Sequence, residues 1–307
     1  MKILLLGGCG YVGSALNNYL KNHEITNVDL NWFSDIAFGN TISVDYRDEA
    51  LIPIIRESDV VILLAGHSSV KMCDDRLSSY YNNVRNFVEL TNRLTPKQKF
   101  IYASSSSVYG NTNTSEIAED NVDFSPINYY DMTKLHIDHI AQLSGLDYYG
   151  LRFGTVNGPA PHVRSDVMIN AMTNTAMTKG EIHVFNADTK RSILGIKDLV
   201  KAIEKIIDTK ESYPGIYNLA SFTSTSGEIA EAVGLVNGVP VINKDEPSVI
   251  TNEKLEKKTY NFGVTTQKFQ DTFDFQFKAT VESISQDMKD QYEDCTKTNR
   301  SQPIHYS

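Results

Sequence analysis

An α/β fold with a doubly wound parallel sheet and a smaller C-terminal α/β cap is predicted from three features of the sequence. The chain begins with a short apolar run, Ile3–Leu6, followed by closely spaced glycines at Gly7, Gly10 and Gly13. Apolar strand-like runs then alternate with helical patterns through the first half. After Pro159 this rhythm changes to short strands between longer helices. We therefore expect one part over residues 1–158 and another over 159–307, with segments of the second returning to the main sheet.

The composition indicates a soluble globular protein with an acidic surface. The 307 residues are 41% hydrophobic and 22% charged, and the formal net charge is −9. Nucleic-acid binding requires a basic face, so this charge argues against a nucleic-acid partner. Lys254, Lys257 and Lys258 are interleaved with Glu253 and Glu256, which favours a solvated helix surface over a basic binding patch.

The cysteines and the apolar runs bear on compartment and membrane association. Cys9, Cys73 and Cys295 are too few and too scattered for a disulfide framework or a zinc site. No apolar run approaches membrane-spanning length, and the N-terminal run leads directly into glycines rather than a cleavage site. We expect a reduced, cytoplasmic protein with no membrane partner and no metal.

The N-terminal run and its glycines predict a dinucleotide-binding turn. In a strand–turn–helix unit of this kind, Gly7 makes the tight turn and Gly10 lets the backbone approach a pyrophosphate. Gly13 lets the helix pack close to the strand, and the helix N-terminus offers N–H groups to the phosphates. Tyr11 and Val12 complete this predicted cofactor-binding loop.

Asp29 favours NAD over NADP. It ends the second predicted strand, about 20 residues past the glycines, where a carboxylate holds the ribose hydroxyls of the adenosine. Its charge would repel a 2′-phosphate, and no Arg or Lys follows before Arg47. Asp45 is placed to reach the adenine edge, or is an ordinary turn residue. Ala65 is small, as a strand end beneath a cofactor requires.

The other predicted elements follow in chain order. Strands are predicted at Ile25–Asp29, Thr41–Val44, Asp59–Leu64, Lys99–Ala103 and Leu146–Leu151, with helices at Glu49–Glu57, at Tyr80–Leu94 and from Pro126 onward. In the cap, strands are predicted near Ile182–Phe185 and Ile216–Leu219, with helices near Ser165–Thr178, Ile196–Ile207 and Ser226–Val233. Residues 296–307 are polar and are expected to be loose.

Tyr130, Lys134 and Ser105 are the candidate catalytic residues. Tyr130 and Lys134 are four residues apart on a predicted helix, so their side chains share one face. A Lys ammonium about 4 Å from a phenol stabilises the phenolate by roughly 4 kcal/mol, or about three pKa units. This would bring the Tyr130 pKa toward neutrality, where general acid–base catalysis is efficient. Ser105, at a predicted strand end, is placed to hold the same substrate hydroxyl.

Together these motifs make the chain resemble the extended short-chain dehydrogenase/reductases, in the NAD-dependent epimerase/dehydratase group that acts on sugar nucleotides. The resemblance covers about two thirds of the chain, with its motifs in the family's order. The matching stretches are Gly7–Gly13, Val28–Asp29, Leu64–Gly66, Ser104–Gly110, Tyr130–Lys134, Leu151–Gly154, Gly158–Pro159 and Arg191–Leu194.

The resemblance implies a Rossmann domain, NAD as cofactor, a nucleotide-sugar substrate and roles for several residues. Tyr130 would be the acid–base, Lys134 would hold the nicotinamide ribose, and Ser105 would bind the sugar hydroxyl. Arg191, in the substrate-binding cap, would bind the substrate diphosphate. Further substrate-binding residues are predicted at Ser106, Ser107 and Asn170.

Three residues depart from the family pattern. Gly154 stands where many sugar epimerases carry an Asn that contacts the diphosphate. Asp131 replaces the usual small residue after the tyrosine and adds a negative charge near the site. Asn157 replaces a common aromatic residue before Gly158.

Other residues have competing interpretations. Arg164 either reaches a substrate phosphate or is a surface residue near a helix start. Cys73 is a second acid–base, as in 3,5-epimerase/reductases of the family, or a small residue at a helix start. His136 and His139 are three apart, but a helix-surface or subunit-interface pair is favoured over a metal site because no third ligand is placed.

The predicted activity is epimerisation of a nucleotide sugar at C4 through a transient 4-keto intermediate, which would make the protein an isomerase. The alternatives are a 4,6-dehydratase, decarboxylase or 4-keto reductase of the same family, or a non-catalytic NAD-binding regulator. The helices after Met72 and Pro126 carry apolar residues on more than one face, including Tyr81, Phe87, Leu135 and Ile140. In the family such helices pair as a four-helix bundle, so a homodimer is expected.

Overall fold

The fold is described from a computed structural model, which describes residues 1–32, 38–114, 116–121, 123–244, 260–291 and 293–294. The lysine-rich cluster from Glu253 to Lys258, Cys295 and the C-terminal residues 296–307 lie outside the described residues.

Strands and helices alternate along most of the described chain. In chain order the strands are β1 (Lys2–Leu6), β2 (Glu24–Val28), β3 (Thr41–Ile42), β4 (Val60–Leu63), β5 (Lys99–Ser105), β6 (Asp147–Phe153), β7 (Thr155–Asn157), β8 (Ile182–Val184), β9 (Lys190–Gly195), β10 (Gly215–Leu219), β11 (Phe222–Thr225) and β12 (Val241–Asn243). The helices are α1 (Tyr11–Tyr19), α2 (Ile52–Glu57), α3 (Arg76–Ser79), α4 (Asn86–Thr91), α5 (Tyr129–Leu143), α6 (Met168–Lys179), α7 (Ile196–Asp208), α8 (Ser226–Asn237), α9 (Gln267–Phe273) and α10 (Val281–Asp290).

Among the described residues, the main sheet has seven parallel strands in the order β10-β6-β5-β4-β1-β2-β3. The order reverses between β1 and β4, because the chain moves outward to β2 and β3 and then returns to the other side of β1. Loops leave the carboxyl ends of these two strands in opposite directions, which opens a crevice at this point. The predicted doubly wound sheet is confirmed.

Successive residues of the central strands are buried on opposite faces of the sheet. In β1, Ile3 and Leu5 pack with α1 and α7, whereas Leu4 and Leu6 pack with α4 and α5. Each of these four side chains is at most 1% exposed. The unbroken apolar run at the N-terminus is thus explained by helices on both faces.

The cap has its own apolar core and two small sheets. Helices α6, α8 and α10 pack with β8 around Ile169, Val184, Ile229, Val233 and Ile284. A sheet in the order β11-β9-β7 connects this core to the main sheet, and β12 pairs with β8. The cap therefore forms one wall above the carboxyl ends of the main strands.

Two segments predicted near the cap strands and helices belong to the main sheet and to the helices that cover it, as segments returning from the C-terminal part. The strand predicted near Ile216–Leu219 is β10, which pairs with β6 at the edge of the main sheet. The helix predicted near Ile196–Ile207 is α7, whose buried residues join the core under α1. Neither partner is near in sequence, so local patterns could not identify it.

Two helices differ from their predicted bounds for local reasons. Helix α5 begins at Tyr129 rather than at Pro126, because the side chain of Asn128 accepts a hydrogen bond from the Asp131 N–H and caps the helix. The helix predicted at Tyr80–Leu94 already starts at Arg76, and a π-helical segment at Tyr80–Arg85 joins α3 to α4.

A buried ion pair fixes α5 to the sheet. Arg152 on β6 donates from Nε to an Asp138 carboxylate oxygen at 2.8 Å, and the two side chains are 2% and 0% exposed. The Tyr102 hydroxyl donates to the other carboxylate oxygen at 3.1 Å, and Arg152 also donates to the Tyr109 hydroxyl at 2.7 Å. This network sets the position of the helix that carries Tyr130.

Candidate active site

A cleft of about 1020 Å³ runs along the carboxyl ends of the main strands, between the main sheet and the cap. Nearly all sequence-predicted site residues line it. They are Gly7, Gly10, Tyr11, Val12, Gly13, Asp29, Asp45, Ala65, Ser105, Ser106, Ser107, Tyr130, Lys134, Arg164 and Arg191. The predicted cofactor and catalytic residues therefore share one cavity.

The glycine loop leaves no room for side chains on its inner side. Gly7 has φ +90°, and a Cβ there would stand 2.6 Å from the Ala65 backbone N at the switch point. A Cβ on Gly13 would stand 2.3 Å from the Gly7 carbonyl oxygen. The loop is thus held against the sheet, and α1 begins at Tyr11 with no side-chain cap on its N–H groups. This geometry fits a pyrophosphate at the helix N-terminus.

The acidic residues at the predicted adenosine end of the cleft, Asp29 and Asp45, are already held by hydrogen bonds. The Asp29 carboxylate accepts from the Cys9 N–H at 2.9 Å and the Asn31 N–H at 2.8 Å. This leaves lone pairs of a fixed carboxylate facing the cleft, which fits ribose hydroxyl groups. Asp45 forms a two-bond ion pair with Arg47, at 2.9 and 2.6 Å. The positive charge of Arg47 is therefore balanced by the Asp45 carboxylate where Arg47 lines the cleft.

Tyr130, Ser105 and Lys134 converge on one wall. Ser105 ends β5 and, like Tyr130, lines the cleft. The Lys134 Nζ donates to the Ala103 carbonyl at 2.7 Å and lies 5.7 Å from the centroid of the Tyr130 ring. Strand β5 thus supplies Ser105, and helix α5 supplies Tyr130 and Lys134. The side chains of Tyr130 and Lys134 share one face of α5, as predicted.

The pKa values of this wall differ from the sequence prediction. Burial raises the pKa of Tyr130 to about 12, although the neighbouring Ser105 hydroxyl and the charge of Arg164 act in the opposite direction. Burial also lowers the pKa of Lys134 to about 8. The predicted shift of Tyr130 toward neutrality is therefore wrong for the protein alone, because desolvation of the phenolate outweighs the neighbouring cations.

A second cavity, of about 710 Å³, opens from the cleft into the cap. Thr155, Asp166, Val167 and Arg191 line both cavities. Arg191 donates to the Tyr260 carbonyl and, being at the junction, presents its charge between the two spaces. Arg164 also lines the cleft, where it donates to the Asp166 carboxylate at 2.9 and 2.5 Å, and its contact with a substrate phosphate stays a prediction.

The structure places some predicted residues away from the cleft. Asn170 is 0% exposed and is engaged internally, accepting from the Gly158 N–H and donating to the Arg164 carbonyl, both at 2.8 Å. It supports the loop over the cleft rather than facing a ligand. Cys73 is 2% exposed and does not line the cleft. His136 and His139 are exposed on α5, and the described ranges contain no cluster of side chains suited to a metal.

Several lining residues were not predicted. Trp32, Tyr46, His162 and Tyr260 line the cleft. Trp32 is the single tryptophan of the chain and follows Asp29 by three residues, which is a signal that sequence reasoning could have used. Tyr260 carries no such signal, since only the fold brings it beside α5.

In the part of the chain that the structure describes, no helix is long and apolar enough to cross a bilayer.

This chain is similar to known proteins in sequence and in fold. A model of the NAD dependent epimerase/dehydratase family matches residues 3–220. Protein CapI of Staphylococcus aureus is 29% identical over 234 residues, covering 67% of this chain and 69% of that protein. UDP-glucuronate 4-epimerase 3 of Arabidopsis thaliana is 28% identical over 244 residues, covering 69% of this chain but 56% of that protein. The structure of UDP-glucuronic acid 4-epimerase from Bacillus cereus, in complex with UDP-glucuronic acid and NAD, superposes with a TM-score of 0.81 at 20% identity, covering 97% of this chain and 99% of that chain.

Proposed function

Since this chain belongs to the NAD-dependent epimerase/dehydratase family, we propose that it epimerises a nucleotide sugar at C4. NAD is the cofactor of the family, and the glycine loop, Asp29 and Lys134 are the residues that would hold it. NAD, when bound, supplies the hydride acceptor and a positive charge that favours the phenolate form of Tyr130. The observation that carries the proposal is the convergence of Tyr130, Ser105 and Lys134 on one wall of the cleft.

In the proposed reaction Tyr130 handles the proton at the C4 oxygen of the sugar. As phenolate it accepts the C4 hydroxyl proton while hydride leaves C4, which gives the 4-keto sugar. Ser105 holds the same oxygen, so the ketone stays oriented. After the sugar turns over, hydride returns to the other face of C4, and Tyr130 gives the proton back to the oxygen.

The carboxylates of the cleft favour epimerisation over elimination. A 4,6-dehydratase of this family needs an acidic pair after the catalytic hydroxyl residue, whereas this chain has Ser106 and Ser107. Asp131 is 0% exposed and does not line the cleft. Of the described residues, the carboxylates that do line the cleft are Asp29, Asp45 and Asp166. Each of these is already bonded to a backbone N–H or an arginine.

The nucleotide half of the substrate would bind in the second cavity. We assign the base to the cap cavity beside β8 and the diphosphate to Arg191, which lines both cavities. Many sugar epimerases contact the diphosphate with an Asn side chain at the position of Gly154. Because glycine has no side chain, Arg191 would make more of the diphosphate contact in this protein. Because a relative and a structural neighbour are named as UDP-glucuronate 4-epimerases, UDP-glucuronate is the first substrate to test.

Turnover in heavy water tests the reaction type. A panel of UDP-, GDP-, CDP- and dTDP-sugars is incubated with the NAD-loaded protein, and products are analysed by mass spectrometry and NMR. A C4 epimer without deuterium at C4, C5 or C6 is expected, since hydride leaves and returns without exchange with solvent.

Tyr130→Phe is the matched control, because it keeps the ring and removes only the ionisable oxygen. It should retain NAD binding and lose at least about a thousandfold in turnover. Deuterium at C5 or C6 would contradict the proposal and indicate elimination or 3,5-epimerisation, and a product reduced at C4 would indicate a reductase. No turnover of any sugar nucleotide, with NAD bound, would favour the regulator alternative.

A further inference from the structure

Tyr260 lines the cleft but has no part in the proposed reaction. Its hydroxyl donates to the two oxygens of the Asp131 carboxylate, at 2.9 and 3.0 Å, and accepts from the Asn128 side-chain amide at 2.6 Å. A phenol has one hydrogen to donate, and here that hydrogen is given to a carboxylate. Since Asp131 follows Tyr130 directly in α5, the hydroxyl end of Tyr260 is fixed to the helix that carries the proposed acid–base.

The Asp131 carboxylate is itself held by the start of this helix. It accepts from the Ile127 N–H at 3.1 Å, and the Asn128 side chain accepts from the Asp131 N–H at 3.0 Å. Asp131 lies in the first turn of α5, where the helix dipole favours a negative charge, and it is 0% exposed. The acceptor for the Tyr260 hydroxyl is therefore a fixed, buried carboxylate.

The backbone around Tyr260 is bonded to the cap strand that carries Arg191. Residues 260–264, here called the strap, lie beside β9. The Lys190 N–H donates to a strap side chain at 2.9 Å, and the Ser192 hydroxyl accepts from a strap N–H at 3.1 Å. Between these two bonds, the Arg191 guanidinium donates to the Tyr260 carbonyl. The strap is thus bonded to Arg191 and to the residue on either side of it.

Arg191 is a half-buried cation at the junction of the two cavities. Among the described residues no carboxylate forms an ion pair with it, and burial lowers its pKa. One terminal nitrogen of the guanidinium is bonded to the Tyr260 carbonyl, and its other N–H groups can meet an anion. The position of this carbonyl therefore determines where those N–H groups point.

We propose that Tyr260 is a positioning residue that fixes the Arg191 guanidinium, and with it the substrate diphosphate, relative to Tyr130. The inference rests on the proposed diphosphate-binding role of Arg191. The Tyr260 hydroxyl is held by the helix of Tyr130, and the Tyr260 carbonyl holds Arg191. The C4 hydroxyl and the diphosphate belong to one substrate molecule, so a fixed separation between their protein partners lets both be bound at once.

A purely structural role for the Tyr260 hydroxyl leads to a different expectation. If the hydroxyl only stabilises the start of α5, then any loss of ligand affinity caused by its removal persists when Arg191 is absent. If the hydroxyl acts through Arg191, then the loss disappears together with Arg191. A double-mutant cycle separates the two roles.

The test measures nucleoside diphosphate binding to the NAD-loaded full-length protein. UDP, GDP, CDP and dTDP are titrated calorimetrically, and the tightest binder is used for every variant. Arg191→Ala is expected to weaken binding about thirtyfold, because charge-assisted hydrogen bonds are lost. Tyr260→Phe is expected to weaken it about fivefold, and less than about twofold in the Arg191→Ala background.

Tyr217→Phe is the matched control. It also removes a tyrosine hydroxyl, which donates to the Tyr213 carbonyl at 2.7 Å. Tyr217 packs in the core of the main sheet and does not line the cleft. Because this hydroxyl has no connection to Arg191, the diphosphate affinity should stay within about twofold of the wild type.

Asp131 provides a second arm of the test. Asp131→Ala removes the acceptor of the Tyr260 hydroxyl, so it should weaken diphosphate binding about as much as Tyr260→Phe, with no further loss when the two are combined. Asp131→Asn keeps an acceptor oxygen and should therefore lose less affinity than Asp131→Ala. If Tyr260→Phe does not fold, the Asp131 variants decide by the same criteria.

Four results would overturn the proposal. The first is full diphosphate affinity in Tyr260→Phe, and the second is an equal loss in the Arg191→Ala background, because the hydroxyl would then act without Arg191. The third is an equal loss in Tyr217→Phe. The fourth is full affinity in Arg191→Ala, or no binding of any of the four diphosphates by the wild type, because Arg191 would then have no diphosphate to hold.

Binding is measured without turnover, so this proposal and the epimerase proposal can fail separately. Coupling between Tyr260 and Arg191 in a protein that turns over no sugar nucleotide would retain the positioning role and reject the epimerase. Epimerisation without such coupling would do the reverse.

Discussion

Removal of Asp138 should destabilise the protein strongly, because it leaves the Arg152 guanidinium buried without a counterion. The pair is 2.8 Å apart with both side chains at most 2% exposed. The guanidinium carbon also lies 5.0 Å from the ring centroids of both Tyr109 and Phe124, two rings that stack on each other. Water therefore has no ready route to solvate the charge once its partner is gone.

The magnitude follows from the burial of both partners. Breaking a buried ion pair from one side costs about 3–5 kcal/mol. The Tyr102 hydroxyl, which donates to the same carboxylate, also loses its partner at a cost of about 1–3 kcal/mol, some of which overlaps with the first figure. A loss of about 4 kcal/mol is a large share of the typical 5–15 kcal/mol stability of a folded protein. For a denaturation slope of about 3 kcal/mol/M, the urea midpoint falls by about 1.3 M.

The assay is urea denaturation of Asp138→Ala, followed by circular dichroism, beside an exposed control pair. Glu57→Ala removes the partner of Lys2, where the two side chains are 71% and 53% exposed. Water solvates the remaining charge there, so its cost should stay below about 1 kcal/mol.

A second substitution checks the cause. In the Asp138→Ala background, Arg152→Met removes the stranded charge and should recover part of the lost stability. If the double variant is as unstable as Asp138→Ala, or if the buried and exposed variants cost the same, then an uncompensated guanidinium is not what destabilises the protein.

Two further predictions concern the cofactor and the assembly. The cofactor-free protein should bind NAD more tightly than NADP in a calorimetric titration. Asp29→Asn, which keeps an acceptor for the Cys9 N–H, should reduce this preference by at least about tenfold; an unchanged preference would remove Asp29 as its cause. Light scattering at micromolar concentration should show a homodimer, because α3–α5 expose a large apolar face (Leu77, Tyr80, Tyr81, Val88, Tyr129, Met132 and Leu143), and a charged substitution at Leu77 should shift the protein toward monomer, whereas Leu235→Glu in the cap should not.

The sequence was informative where function depends on local geometry. The glycine spacing predicts the turn at Gly7 and the close packing at Gly13, both of which the structure has. Helical spacing likewise places Tyr130 and Lys134 on one face. These inferences need only one strand, one turn or one helix, and the physics that sets them acts over a few residues.

Inferences that depend on distant partners were less successful. The place of β10 in the main sheet could not be predicted because its pairing with β6 joins segments about 65 residues apart. Of the apolar residues that led to the dimer prediction, Phe87 and Leu135 are 1% and 8% exposed and pack in the chain's own core. Asn170 could not be recognised as a support for Gly158, since an amide's partners depend on which backbone groups the fold brings near it.

The Tyr130 pKa could not be predicted for a related reason, and its direction bears on the proposed cycle. Nearby cations are visible in a sequence, whereas the desolvation that raises this pKa to about 12 is not. A buried phenol holds its proton until a positive charge and a proton acceptor are both at hand. In the proposed cycle bound NAD would supply that charge, and the C4 hydroxyl would then give its proton to Tyr130. Tyr130 would then be neutral beside the 4-keto sugar, the state in which burial stabilises it. The same burial that makes the phenolate costly before the reaction thus stabilises the neutral phenol beside the 4-keto intermediate until hydride returns.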